Sequence, residues 1–268
     1  MLYNLFVTFY RYKGETVMGL FDKKFCSICG NKIGLLGNRK LEDGNLCKEC
    51  ASRLSPWFSD RRQSTEEQIR EQLNYREANR EKVAAFHCTK TIGTSTKVLL
   101  DEDRRLFLVT SARKWQDANP DVIRFSDVTG CEIKTDENRS EVRFKNEQGE
   151  YTSYDPKRYE YSYNIRVIIY VNHPYFSEMV FRLNDFSIDI GEPGLSLFGK
   201  QHPPRPELNA QFVQWMERAE EIKAILTGFR QAAEEAAAPK ERVVCKACGA
   251  TTLPDASGCC EYCGTPLK

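Results

Sequence analysis

The chain has 268 residues, 41% of them hydrophobic and 29% charged, with a formal net charge of +1. That composition fits a soluble globular protein of about two domains, or one domain with small modules. The near-zero charge leaves no global field that would gather nucleic acid or an acidic membrane, and no apolar run approaches the ~20 residues of a membrane span.

Residues 1–17 are aromatic-rich and lead into a second methionine, Met18. Lys13-Gly14-Glu15 can be encoded by a purine run containing a bacterial ribosome-binding sequence, a short distance upstream of Met18. Translation is therefore expected to start at Met18, with residues 1–17 a mis-called start. The alternative is a short amphipathic anchor or an added strand, for which only Arg11 and Lys13 supply positive charge. The basic n-region and small-residue cleavage site of a signal peptide are lacking.

Residues 18–63 read as a zinc module. Cys26-Ser27-Ile28-Cys29-Gly30 is followed by Cys47-Lys48-Glu49-Cys50, with seventeen residues between Cys29 and Cys47. Two Cys-x-x-Cys pairs at that separation are a strong zinc signal, since zinc takes four ligands in a tetrahedron. Disulfides or idle thiols are the competing reading, and a thiolate-only set does not exclude iron. Glu42-Asp43-Gly44 reads as a hairpin turn, and Cys47-Lys48-Glu49-Cys50 runs into a short helix before Pro56. Knuckle, hairpin and helix in that order describe a treble clef. Four thiolates fill the shell, so the ion is structural.

A spacer helix is expected over 64–83, with Ser64 and Glu67 as a capping box and a thin apolar edge at Ile69 and Leu73. Its charges read as a solvated face. From 84 the pattern turns to period two. Val98-Leu99-Leu100 and Leu106 to Val109 flank a hairpin turn. Val122 to Phe125, Cys131 to Ile133 and Val142 to Phe144 read as short strands, and Asn146-Glu147-Gln148-Gly149 as another turn. Ile165 to Val171 reads as a central strand, partnered by Met179 to Leu183. Seven or eight such strands imply an antiparallel barrel or sandwich. Gly191 to Pro206 reads as a loop. Leu208, Phe212, Trp215, Ala219, Ile222 and Leu226 then fall on one helix face, widened by Met216, Ile225 and Phe229. This helix should close the β domain, which spans 84–229. A coiled coil is the alternative.

Residues 230–242 read as an alanine- and glutamate-rich linker or a frayed helix extension. The last segment, 243–268, carries Cys245-Lys246-Ala247-Cys248-Gly249 and Cys260-Glu261-Tyr262-Cys263-Gly264, with eleven residues between the inner cysteines. Two knuckles without a helix describe a zinc ribbon. Cys259 or Cys260 could serve as ligand, and Cys260 has the spacing to Cys263. Cys88 and Cys131 read as small core residues. The fold class is thus α+β multidomain. Cys26, Cys29, Cys47 and Cys50 are expected to hold one structural zinc ion, and Cys245, Cys248, Cys260 and Cys263 a second.

Met18 to Phe25 ahead of Cys26, then Gly30-Asn31-Lys32-Ile33-Gly34 and Leu46-Cys47-Lys48-Glu49-Cys50, resemble the bacterial family called domain of unknown function 4428 (DUF4428). The resemblance covers about Phe25 to Leu73 and implies no reaction. The middle segment, strands then one long amphipathic helix, is similar in element order to bacterial pleckstrin-homology-like (PH-like) domains. That implies a binding module for phospholipid headgroups, peptides or proteins. The C-terminal segment resembles bacterial zinc ribbons.

Catalysis is not expected. The chain has three histidines, His87, His173 and His202, none in a recognisable nucleophile motif, and no glycine-rich phosphate loop. No catalytic or organic-cofactor residue is assigned. Nucleic-acid binding is the second class. From Asp22 to Arg62, nine basic residues face five acidic ones, and a zinc tetrathiolate takes back two charges, too little for a dedicated binder. The favoured class is a cytoplasmic adaptor with protein partners. Lys90, Lys97, Arg104 and Arg105 could meet a phospholipid phosphate, although ordinary solvated charge is the simpler account.

Overall fold

The computed structural model describes residues 24–237, 243–253 and 258–267. The expectation for residues 1–17 falls outside them. The chain divides between Arg76 and Glu77 into two compact units.

The first unit opens with paired short strands, β1 (Lys24–Phe25) with β2 (Lys32–Ile33), then β3 (Arg39–Lys40) with β4 (Asn45–Leu46). α1 (Lys48–Ser52) follows, then a 3-10 turn (Asp60–Gln63) and α2 (Glu66–Ala85). The second hairpin turns at the expected place, where Leu41 N–H donates to Gly44 O at 2.9 Å. Gly44 has no room for a side chain, since an added Cβ would lie 2.5 Å from Ser27 Oγ. The knuckle and the hairpin are laced together at that point. Ser27 N–H donates to Asn45 O at 2.8 Å and Asn45 N–H to Ser27 Oγ at 3.2 Å.

The cap of α2 is one residue later than the sequence suggests. Thr65 Oγ1 accepts from Gln68 N–H at 3.3 Å, and Gln68 Oε1 accepts from Thr65 N–H at 2.9 Å. That is a reciprocal capping box. Ser64 instead donates to Asp60 O at 2.8 Å and is buried. Nor is α2 a solvated spacer. Ile69, Gln72, Leu73, Arg76, Asn79 and Val83 are all buried. They recur at helical spacing, but three are polar, so apolar periodicity hides the face. In the first unit Ile69 and Leu73 complete the core of Ile33, Leu41, Leu46 and Leu54 around three of the cysteines.

In the second unit β5 (Lys90–Gly93), β6 (Lys97–Asp101), β7 (Leu106–Thr110) and β8 (Ile123–Arg124) form an antiparallel sheet in sequence order. A short helix α3 (Trp115–Ala118) lies between β7 and β8. The C-terminal half of α2 belongs to this unit. Asn79 Nδ2 donates to Asn119 Oδ1 and Pro120 O, both at 2.8 Å, and Asn79 Oδ1 accepts from Val122 N–H at 3.1 Å. A fully buried amide is thereby satisfied, as burial of polar groups requires. Val83 and Phe86 pack with Leu99, Leu108 and Val122.

The second sheet differs from the expected run of short strands. Cys131 to Ile133 and Val142 to Phe144 are parts of one strand, β9 (Val128–Lys145), antiparallel to β10 (Tyr151–His173). Asn146 makes the turn, its Oδ1 accepting from Gln148 N–H at 3.1 Å and Glu150 N–H at 2.8 Å. Polar residues between the two apolar pieces conceal the continuity, because this half of the ribbon is largely exposed on both faces. The ladder shifts register between Ser153 and Arg158, around Pro156, which has no N–H to give. The inner part of β10 pairs on its other edge with β11 (Phe176–Arg182) and β12 (Ile188–Gly191). Ile165, Val167, Ile169 and Val171 alternate into the core.

The strands make two four-stranded antiparallel sheets, so the barrel alternative is corrected: no closed barrel forms among the described residues. β8 has two residues, too few to carry the ladder across to β9, and β9 pairs only with β10.

Helix α4 (Ala210–Ala237) packs along β9 and reaches β10, β5 and the 3-10 turn Phe125–Asp127. Phe212, Ala219, Ile222 and Leu226 are buried as the stripe predicts. Leu208 is an exception. Asn209 Oδ1 accepts from Gln211 and Phe212 N–H at 2.9 and 3.1 Å, so the helix starts after it. Leu208 is left in a 3-10 turn, Pro206–Leu208, 74% exposed. Trp215 is only half-buried, with the Arg218 guanidinium 4.4 Å from its ring centroid. Residues 230–237, expected as linker or helix extension, continue α4. The C-terminal segment pairs β13 (Val243–Val244) with β14 (Thr251–Thr252).

Candidate metal centres

Each knuckle is built the same way from Cys-x-x-Cys-Gly. In the first, Gly30 N–H donates to Cys26 O and Cys26 N–H to Asn31 O, at 2.8 and 2.9 Å. In the ribbon, Gly249 N–H donates to Cys245 O at 2.7 Å and Gly264 N–H to Cys260 O at 2.8 Å. The return bonds run from Cys245 to Ala250 O and Cys260 to Thr265 O, both 2.8 Å. All three glycines have φ between 70° and 72°, the left-handed region where a Cβ is strained. The turn directs both sulfurs of a pair to one side.

The fourth pair is different. Cys47 is the N-cap of α1, and Cys47 Sγ accepts from Cys50 N–H at 3.3 Å. The Cys50 N–H at the helix N-terminus favours a thiolate there, but burial outweighs it and raises the Cys47 thiol.

Cys26, Cys29, Cys47 and Cys50 bring four Sγ atoms within 4.8 Å of one another, and so do Cys245, Cys248, Cys260 and Cys263. The Sγ–Sγ separation is 3.7 Å for Cys29–Cys47, 3.6 Å for Cys245–Cys263 and 3.7 Å for Cys248–Cys260. A tetrahedral ion with Zn–S of ~2.3 Å has edges of about 3.8 Å, whereas a disulfide is ~2.05 Å. The sulfurs therefore stand at metal-ligand separation and are not bonded to one another. Cys259 lies outside the second set, half-buried, and Cys131 is a buried residue as expected. Cys88 is exposed, contrary to the expectation of a core residue, because it lies in the segment ahead of β5.

The surroundings favour charge on some sulfurs. Burial pushes the Cys26 thiol up, but N–H groups of Cys29, Cys47 and Ile28 outweigh it and lower the pKa to about 6. The Thr265 hydroxyl and N–H lower Cys263 to about 6. Burial and contact with the other thiols raise Cys50. Four crowded sulfurs cannot all ionise alone, and a divalent cation removes that conflict. Two contacts that hold these pairs escape a motif search. Arg70 on α2 donates to Ser27 O at 2.7 Å, across 43 residues, and Thr265 sits 3.3 Å from Cys263 Sγ.

Two of the basic residues considered for a phosphate have partners within the protein. Lys90 is paired with Glu221 of α4 at 2.7 Å, and Arg104 donates to Ala85 O. A shallow cavity of about 410 Å³ near His202 is lined by Ile190, Pro193, Gly194, His202, Pro203 and Arg205, with no nucleophile or carboxylate among them.

Fold and site together define a mixed α/β chain with two four-cysteine clusters, each suited to zinc, and no helix among the described residues is long and apolar enough to cross a membrane. Residues 24–72 match the family described as "Domain of unknown function (DUF4428)". The match takes in the first cluster and the start of α2 as far as Gln72, including Ile69 of the core. No curated protein and no solved structure matches the chain.

Proposed function

We propose that the chain is a non-enzymatic, zinc-stabilised adaptor of the cytoplasm whose partners are chiefly other proteins. The observation that carries this is the closure of both clusters. Four thiolates around each ion leave no position for water or substrate, so the metal holds surfaces in place and does not do chemistry. The middle of the chain, antiparallel strands followed by a long helix packed on them, supports a PH-like binding domain. The C-terminal ribbon is read as a tethered recognition module.

Elemental analysis of protein purified under reducing conditions with zinc supplied should find one ion for each of the two clusters. Limited proteolysis should cut after the end of α4, between Ala237 and Arg242, and release a zinc-bound ribbon. Affinity purification from the native host should lose specific partners when the ribbon is deleted. Recovery of the same proteins with and without it, together with tight RNA binding at physiological salt, would replace the adaptor with a nucleic-acid-binding protein.

A further inference from the structure

β2 and β3 are joined by Gly34-Leu35-Leu36-Gly37-Asn38, with a tight turn closed by Gly37 N–H to Gly34 O at 3.0 Å. Leu35 is 86% and Leu36 90% exposed. Isolated exposed leucines are ordinary, but two adjacent ones at the tip of a hydrogen-bonded turn form a projecting apolar point.

The surroundings of the tip are cationic. Arg39 lies beside Leu36, donating to Leu36 O at 3.4 Å and Asn38 O at 3.3 Å. Arg61 reaches over from its 3-10 turn and donates to Lys40 O at 2.6 Å. Burial, then the positive charges of Arg39 and Arg62, depress the pKa of Arg61, so each of the two is near enough to act on it. Lys32 and Lys40 are exposed on the flanking strands. Of the carboxylates close in sequence, Glu42 is exposed and two others accept hydrogen bonds. Asp43 accepts from Glu66 N–H at 2.8 Å and Asp60 from the Ser59 hydroxyl at 2.9 Å.

We propose that this tip is an anchor for an anionic membrane surface. Leu35 and Leu36 enter the headgroup boundary while Lys32, Arg39, Lys40, Arg61 and Arg62 face the lipid phosphates and carboxylates. A protein partner fits less well. A standard protein interface covers ~800 Å² on each side, far more than two convex leucines supply. A bilayer demands no matching shape, only apolar side chains at the right depth with cations around them. The contrast within the chain is instructive. Leu197 and Phe198 also stand at a turn, 101% and 88% exposed, but Lys200 is the one basic residue in that turn. The inference rests on reading the chain as a binding protein and gives it one partner of stated chemistry.

The test is sedimentation of zinc-loaded full-length protein with phosphatidylcholine vesicles, with and without about a quarter phosphatidylserine. Binding is expected only to the anionic vesicles and should weaken with salt. Leu35→Ser with Leu36→Ser should lower partitioning at least ~10-fold, by removing the buried apolar groups. Lys40→Gln with Arg62→Gln should lower it roughly 20-fold and flatten its dependence on phosphatidylserine. Leu36→Trp should shift its emission to the blue on anionic vesicles, with zinc content unchanged in every variant. Equal binding to neutral vesicles, unchanged binding of the double-serine variant, or no vesicle binding at all would each overturn the anchor. If specific protein partners are still recovered in that last case, the adaptor reading stands without it.

Discussion

The N-terminal cluster closes beside a core of Ile33, Leu41, Leu46, Leu54, Ile69 and Leu73, whereas the described residues of the C-terminal ribbon bury only Cys245, Thr252 and Cys260. Both use the same knuckle, with the same pair of backbone bonds and the same positive-φ glycine. What differs is how much protein surrounds it. A segment of a few tens of residues cannot bury enough surface to fold alone, and metal substitutes for the missing core. The N-terminal module has borrowed half a helix to add burial of its own, while the described residues of the ribbon have little core besides their cysteines.

Removing a ligand is the most forceful way to break that comparison. Zinc contributes ~10–16 kcal/mol to the folding of small metal modules. Cys245→Ser should therefore leave the ribbon without protected amides. Cys26→Ser should unfold the N-terminal knuckle and hairpin, yet α2 from Glu77 onward should keep its protection, since Asn79 and Val83 are held in the second unit. Each variant should lose one of the two ions, read by elemental analysis, and hydrogen exchange should locate the loss. An apo N-terminal module that keeps native protection would mean its apolar core suffices.

Ile69→Ala sharpens the same point from the other side. Ile69 is fully buried in the N-terminal core, and truncation should cost about 2–5 kcal/mol there. The expected sign is a lower urea midpoint for the N-terminal module, with zinc affinity of the ribbon unchanged.

Both clusters were legible in the sequence because their ligands obey local spacing, and a Cys-x-x-Cys-Gly turn is fixed by its own five residues. The hairpin at Gly44 and the stripe of α4 were legible for similar reasons. The buried face of α2 was not. Gln72, Arg76 and Asn79 sit on it because partners far along the chain satisfy some of them, Asn119 and Val122 in the case of Asn79. Apolar periodicity contains no record of such partners. The cap at Thr65 was missed because Ser64 and Thr65 both satisfy the pattern, one with Glu67 and the other with Gln68. Only the competing bond from Ser64 to Asp60 O decides between them. The β9–β10 ribbon read as fragments since its outer half has no buried face to impose alternation.

The β domain is the control for both four-cysteine modules, since its core contains neither cluster. Trp215→Ala should act on it alone. A fully buried tryptophan would cost ~3–5 kcal/mol, but Trp215 is half-buried and shares its face with Arg218, so about 1–2 kcal/mol is expected. A shift in the thermal midpoint of this domain, with metal content intact, is the readout. A loss of dimer with no loss of monomer stability would instead support the coiled-coil alternative for α4.

The smallest effect expected is a pH dependence confined to the same domain. His173 ends β10, its ring stacked on Phe176 at 4.1 Å between centroids, and Nδ1 accepts from Tyr175 N–H at 3.3 Å. Burial lowers its pKa, with Lys82 acting in the same direction and Asp121 and Asp127 against it. The folded state thus holds His173 neutral where the unfolded chain, with a histidine pKa near ~6.5, already takes a proton. Stability should be unaffected by this group above that value. It should fall as pH drops through ~6.5 towards the depressed folded pKa, and level off below it. His173→Gln should flatten this segment of the curve in urea titrations of the β domain between about pH 7 and pH 5. A wild-type curve that is flat there, or one that rises on acidification, would show that the folded state accepts the proton after all, with Asp121 and Asp127 outweighing burial.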